Sequence, residues 1–284
     1  MARQLLGKEV TAVLNTKIKE NVALVKAKGI SPTLGIVRLG EKKNDLSYER
    51  GAIKCCEALG VACEKYLLPV DVTQEKLLKV IHQINHNDKI HGVLIFRPLP
   101  KHLDEAAVIH ALALEKDVDG ITNGSLVGVF TGIKQGFAPC TSQACMEILD
   151  HYGIHCMGKK AVVVGRSLVV GKPVAMMLLE KNATVTICHT RTEHMPSVVK
   201  EADIVIAAVG RAGLIDDRYV SPGQTVIDVG INVNQKGKLC GDVAYEKVHS
   251  VVEAITPVPG AVGIVTTSVL VSHVVEAAMR QYSI

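Results

Sequence analysis

The chain has 284 residues, 48% of them hydrophobic, 21% charged and 3% aromatic, with no tryptophan and a formal net charge of +4. That length exceeds the roughly 250 residues at which a single core stops growing, and predicts two domains. The small positive charge is dispersed among acids and there are few rings to stack on bases, so a nucleic-acid partner is not expected.

Charge or glycine interrupts the apolar runs every few residues, so none is expected to approach the roughly 20 residues of a membrane span. The start, MARQLLGKEV, has neither the apolar core nor the cleavage site of a secretory signal, so the expected location is the cytoplasm. Eight cysteines (Cys55, Cys56, Cys63, Cys140, Cys145, Cys156, Cys188 and Cys240) form no CxxC pair. They predict neither a metal site nor a disulfide framework, and read as small core residues.

In chain order, helical spacing covers Gly7 to Lys28, Leu46 to Leu59, Thr73 to Asn85 and Asp104 to Leu112. Strand-like runs lie between them at Thr33 to Gly40, Cys63 to Pro69 and His91 to Pro100. A second unit opens with a helix over Pro139 to Gly153, for which Thr141 or Ser142 is the expected N-cap. Strands follow at Lys160 to Gly165, Thr184 to His189, Asp203 to Gly210, Gln224 to Gly230 and Val251 to Pro257, and a last helix closes the chain. The alternation predicts an α/β protein of two α/β domains, the second Rossmann-type with a mostly parallel sheet. The expected division gives residues 1–138, completed by the helix over 267–284, to the first domain and 139–266 to the second.

KAVVVGRSLVVGKPVAMMLLEKNATV runs strand, glycine, loop, glycine, helix. Gly165 ends the strand, Gly171 opens the helix, and Arg166 and Ser167 lie between, where backbone N–H groups would meet a pyrophosphate. The full G-x-G-x-x-G is absent, so a tight connection without ligand is the plain alternative. The next strand ends in CHTRT, which has no carboxylate for a ribose but does contain Arg191. Arg166 and Arg191 are the expected clamp on a 2′-phosphate, which favours NADP over NAD. For any one surface arginine the alternative is a solvated loop cation.

KDVDG (Lys116 to Gly120), PCT (Pro139 to Thr141), GRSLVVGKP, VIDVGIN, GDV and ITPVPGAVG follow one another along the chain. Together they resemble the signature runs of the bacterial FolD family, methylenetetrahydrofolate dehydrogenases that usually also carry methenyltetrahydrofolate cyclohydrolase activity. The resemblance implies two domains, a homodimer and a folate cleft between the domains. It places Tyr48 beside the folate, Asp119 on the pterin, and Pro259, Gly260 and Gly263 in a stiff loop bordering the substrate. It places Val170, Gly210 and Ile231, with the glycine loop, on the cofactor. Without it, Asp119 would read as a turn residue before Gly120.

Two departures stand out in YERGAIK and IFRPLP. Bifunctional members of the family carry Tyr-x-x-x-Lys, and here Ala52 occupies the lysine's place; the glutamine of the family's V-Q-L-P-L-P run falls on Phe96. Lys54 is six residues from Tyr48, about 120° around a helix, and is the candidate replacement. Arg97 neighbours Phe96, but strand alternation would turn it to the other face. Ala261 stands where the family has glycine, and would be strained if the backbone there needed a positive φ.

Hydride transfer uses the cofactor's chemistry and asks the protein to hold two rings and exclude water. Hydrolysis needs proton transfer, for which a tuned lysine is worth about 10²- to 10⁴-fold. The expectation is therefore an NADP-dependent 5,10-methylenetetrahydrofolate dehydrogenase with weak or absent cyclohydrolase. The alternatives are a fully bifunctional enzyme using Lys54, a non-catalytic nucleotide- or folate-binding module, and a dehydrogenase for another small substrate.

Overall fold

The computed structural model describes residues 1–234 and 236–284. In chain order the elements are β1 (Arg3–Gln4), α1 (Gly7–Ala27), β2 (Thr33–Leu39), α2 (Lys43–Leu59), β3 (Ala62–Leu68), α3 (Gln74–Asn85), β4 (Gly92–Ile95), α4 (Glu105–Ala111) and α5 (Asn123–Thr131). They continue with α6 (Cys140–His151), β5 (Lys160–Val164), α7 (Gly171–Glu180), β6 (Thr184–Cys188), α8 (Met195–Lys200), β7 (Ile204–Ala207), β8 (Thr225–Asp228), β9 (Asn232–Val233), β10 (Leu239–Cys240), α9 (Tyr245–Val248), β11 (Ala254–Ile255) and α10 (Val262–Tyr282). The chain divides into two compact units, residues 13–140 with 267–284, and residues 1–12 with 141–266.

In the unit of residues 13–140 and 267–284, β3, β2 and β4 form a parallel sheet, with Val37 of the central strand opposite Tyr66 and Ile95. Burial on both faces explains the unbroken apolar run of β4, in which all four residues are buried. Val37, Val93 and Ile95 pack there with Leu77, Ile81 and Ile84 from one stripe of α3. The strand expected over His91 to Pro100 stops at Ile95, because Pro98 and Pro100 have no N–H to give a ladder. The apolar spacing of α5 is interrupted by Gly124 and Gly128, which is why the sequence did not announce it.

In the other unit a six-stranded sheet runs β1-β11-β8-β7-β5-β6 with every pairing parallel. The N-terminal residues belong here, which corrects the expected division. Arg3 and Gln4 pair with Ala254 and Ile255 as an edge strand too short to register as a sequence pattern. The expected N-cap is corrected as well. The helix already begins at Cys140, so Thr141 and Ser142 lie inside it, and Ser142 Oγ instead donates to the carbonyls of Val169 and Val170 at 3.3 and 3.2 Å.

α10 is long and apolar enough to cross a membrane by length and composition, contrary to expectation; the mean hydropathy of its most apolar window is 1.6. Two-thirds of that window is buried in protein, and Val269, Leu270, Val274 and Val275 are core residues. Such burial is what a core helix shows.

Candidate active site

α2 is a regular helix ending at Gly60, whose left-handed φ of 80° lets its N–H return to Cys56 and Glu57 carbonyls. Its geometry settles the spacing of Tyr48 and Lys54. Ala52, one turn beyond Tyr48, is fully buried, whereas Lys54 is exposed. The Tyr48 ring meets Phe96 edge-on, with centroids 5.9 Å apart and planes at 78°. At the positions where the resemblance implies a lysine and a glutamine, this chain has a methyl group and a ring.

Asp119 lies on a loop organised by Asp117. That carboxylate is fully buried and accepts from the Ile121 and Thr122 N–H groups at 2.9 and 2.7 Å and from Ser125 Oγ at 2.6 Å. Gly120 follows with φ of 67°, and a Cβ there would lie 2.4 Å from the Pro139 nitrogen, so only glycine fits the turn. The Asp119 carboxyl is withdrawn from water and its pKa rises to about 6, against the pull of the Arg97 charge and a hydrogen bond with Cys140. Desolvation, then the Asp119 carboxylate, push the Tyr48 hydroxyl well above its ordinary range, so it stays a neutral donor.

Arg97 corrects the alternation argument. β4 has ended at Ile95, so strand geometry no longer governs the pair; Phe96 meets Tyr48, and the Arg97 charge acts on Asp119. Arg97 Nη1 is 3.6 Å from Glu105 Oε1, while its Nε is buried with no hydrogen-bond partner.

In the unit of residues 1–12 and 141–266, β5 delivers the chain to Gly165, and α7 opens at Gly171. A Cβ on Gly171 would lie 2.2 Å from the Gly165 carbonyl oxygen, and one on Gly165 would lie 2.1 Å from that of Ala208. Strand end and helix start thus approach as closely as backbone allows. Ser167 Oγ accepts from the Val170 N–H at 3.1 Å, and no side chain caps α7. Arg166 and Arg191 are both exposed, and among the described residues neither stands in an ion pair.

Two buried carboxylates shape the loops beyond. Asp242 accepts from the Val209, Gly210 and Arg211 N–H groups at 2.6, 2.9 and 2.8 Å and from Asn232 Nδ2 at 2.9 Å. Asp228 accepts from the N–H groups of Gly230, Asp242 and Val243, and desolvation raises its pKa to about 6. The two acids of VIDVGIN and GDV therefore fix the backbone that carries Gly210 and Ile231, a role that sequence reasoning missed.

A cavity of about 120 Å³ opens there, lined by Asp228, Ile231, Pro259, Gly260, Gly263 and Ile264. The positive φ in this loop, 119°, falls on Gly260 and not on Ala261, which is buried in ordinary backbone geometry, so the expected strain is absent.

The sequence matches the family described as tetrahydrofolate dehydrogenase/cyclohydrolase over both parts, its catalytic domain across residues 5–119 and its NAD(P)-binding domain across 139–282. The bifunctional protein FolD of Carboxydothermus hydrogenoformans is 53% identical over 98% of this chain and 97% of its own, and that of Clostridioides difficile 48% over 97% and 96%. The bifunctional FolD structure from Campylobacter jejuni superposes with a TM-score of 0.96 at 36% identity, covering 99% of both chains. That of the Trypanosoma brucei enzyme, complexed with NADP cofactor and inhibitor, superposes at 0.94 with 32% identity, covering 100% of this chain and 99% of that one. The chain belongs to the tetrahydrofolate dehydrogenase/cyclohydrolase family.

Proposed function

We propose that this chain is an NADP-dependent 5,10-methylenetetrahydrofolate dehydrogenase that also hydrolyses the methenyl product. The observation that carries the reading is the family match over both units, with Tyr48 and Asp119 kept in one and the glycine approach kept in the other. The bifunctional names of relatives near 50% identity favour two activities over the loss expected from Ala52 and Phe96.

The residues present fit the cofactor. Gly165 and Gly171 leave the room that a Cβ would fill, the Gly171 N–H at the start of α7 is the one offered to a pyrophosphate, and Arg166 and Arg191 have charge free for a 2′-phosphate. NADP, when bound, supplies the hydride acceptor. Residues 141–266 hold it, with Gly210 and Ile231 set by Asp242.

Residues 13–140 carry the folate. Asp119, ionised at neutral pH, accepts paired N–H groups from the pterin, and Tyr48 offers its ring face and a neutral hydroxyl. Pro259, Gly260 and Gly263 border the substrate on the rigid loop. Of the two lysines of α2, Lys43 and Lys54, Lys54 is the one proposed for hydrolysis. A homodimer in the cytoplasm completes the proposal.

Purified protein supplied with methylenetetrahydrofolate should produce reduced cofactor faster with NADP⁺ than with NAD⁺. No turnover with either would leave only a binding module or a dehydrogenase for another substrate. A second reading, the dehydrogenase alone, is favoured by Ala52 and Phe96; it predicts that the methenyl product accumulates.

A further inference from the structure

Val118 and Asp119 share a peptide bond, so whatever holds the Val118 carbonyl also sets how the Asp119 backbone, and the carboxyl it carries, is turned. Two donors hold that carbonyl, both within the unit of residues 13–140 and 267–284. His273 of α10 places Nδ1 2.9 Å from it, and Cys140 at the start of α6 places Sγ at 3.2 Å. A carbonyl oxygen only accepts, so Nδ1 is the ring nitrogen that carries the proton. Sγ and Nδ1 are 3.7 Å apart, a separation at which a nucleophile and its base could pair. Burial argues against that use: it pushes the thiol up and the imidazole down, so both groups stay neutral and act as donors. The thiol has one proton, and it also hydrogen-bonds the Asp119 carboxyl. The imidazole N–H is therefore the donor committed to the peptide.

The ring is braced for that task. His273, Glu276 and Arg280 fall on one face of α10. Phe137 lies against the His273 ring, with centroids 4.9 Å apart and planes at 33°, and the Arg280 guanidinium carbon sits 4.3 Å from the centre of the Phe137 ring. Arg280 in turn donates to the Gly136 carbonyl at 2.8 Å and to Glu276 Oε1 at 2.7 Å. An apolar side chain could fill the same core space, since His273 and Val118 are both buried. What the imidazole adds is one directed N–H, aimed at the residue before Asp119.

We propose that His273 is a positioning residue for the folate: by donating from Nδ1 to the Val118 carbonyl it sets the peptide that carries Asp119, and with it the direction in which that carboxylate meets the pterin. This rests on the folate reading above. Asp119 is then fixed by two devices, the turn that Asp117 builds after it and the peptide that His273 holds before it.

The test titrates full-length His273→Leu, His273→Asn and His273→Gln with tetrahydrofolate and, separately, with NADP⁺. It also measures kcat and KM with methylenetetrahydrofolate, while the melting temperature reports on the fold. His273→Leu should bind tetrahydrofolate about tenfold more weakly and raise KM by as much, with kcat and NADP⁺ binding near those of the wild type. His273→Asn should recover most of that loss, because its amide nitrogen stands where Nδ1 stood; His273→Gln should not, because its amide reaches the place of Nε2. Equal tetrahydrofolate affinities in His273→Asn and His273→Gln would overturn the inference, as would a loss in His273→Leu that follows the melting temperature and extends equally to NADP⁺. Unchanged folate binding in His273→Leu would overturn it too, whereas wild-type protein that binds no tetrahydrofolate would overturn the folate reading itself.

Discussion

The loop from Gly165 to Gly171 and the helix from Tyr48 to Lys54 belong to different units and have fared differently. The loop keeps what a dinucleotide needs, because its requirement is space, and a Cβ on Gly171 would lie 2.2 Å from a carbonyl oxygen. The helix has its tyrosine, but alanine, fully buried, stands where the resemblance implies a lysine. Cofactor binding is thus written in backbone geometry, whereas on the proposed reading hydrolysis is written in side-chain identity.

Breaking the loop should have the largest effect. Gly171→Ala forces strand end and helix start apart, and should weaken NADP about 100-fold in a binding titration, since displacements near 1 Å cost that much. Next is Asp119→Asn, which removes a charge-assisted acceptor worth about 1.5–3 kcal/mol, so KM for the folate should rise roughly 10- to 100-fold with little change for NADP.

The pH dependence sharpens the same residue. With its pKa raised to about 6, Asp119 protonates below that pH and loses acceptor capacity, so folate binding should weaken as pH falls through 6, and Asp119→Asn should flatten the profile. Its linkage to folding has the opposite sign. The raised pKa means a contribution present below the ordinary carboxylate range and lost as pH rises through 6. The smallest effect is expected of Arg191→Ala, about tenfold on KM for NADP with NAD unchanged, because an exposed cation contributes a solvent-screened contact.

Much of this was legible in the sequence. The strand, glycine, loop, glycine, helix order over Lys160 to Glu180 is what the structure shows, since each part follows a local rule. β1 was not legible, because two residues on a sheet edge carry no period, and their partner lies some 250 positions away in sequence. The roles of Asp117, Asp228 and Asp242 were hidden for a similar reason: an acid that accepts backbone N–H groups from distant loops looks like any other acid in a turn. Arg97 was misjudged because alternation was extended beyond Ile95, where the strand had already ended.

The most direct test of the account is to mix the methenyl compound alone with purified wild-type protein and time its decay against buffer. The account predicts a decay much faster than in buffer, with the 10-formyl product appearing in step. Decay at the buffer rate, from protein that still reduces NADP⁺ with methylenetetrahydrofolate, would contradict it and show that Ala52 and Phe96 have left a dehydrogenase alone.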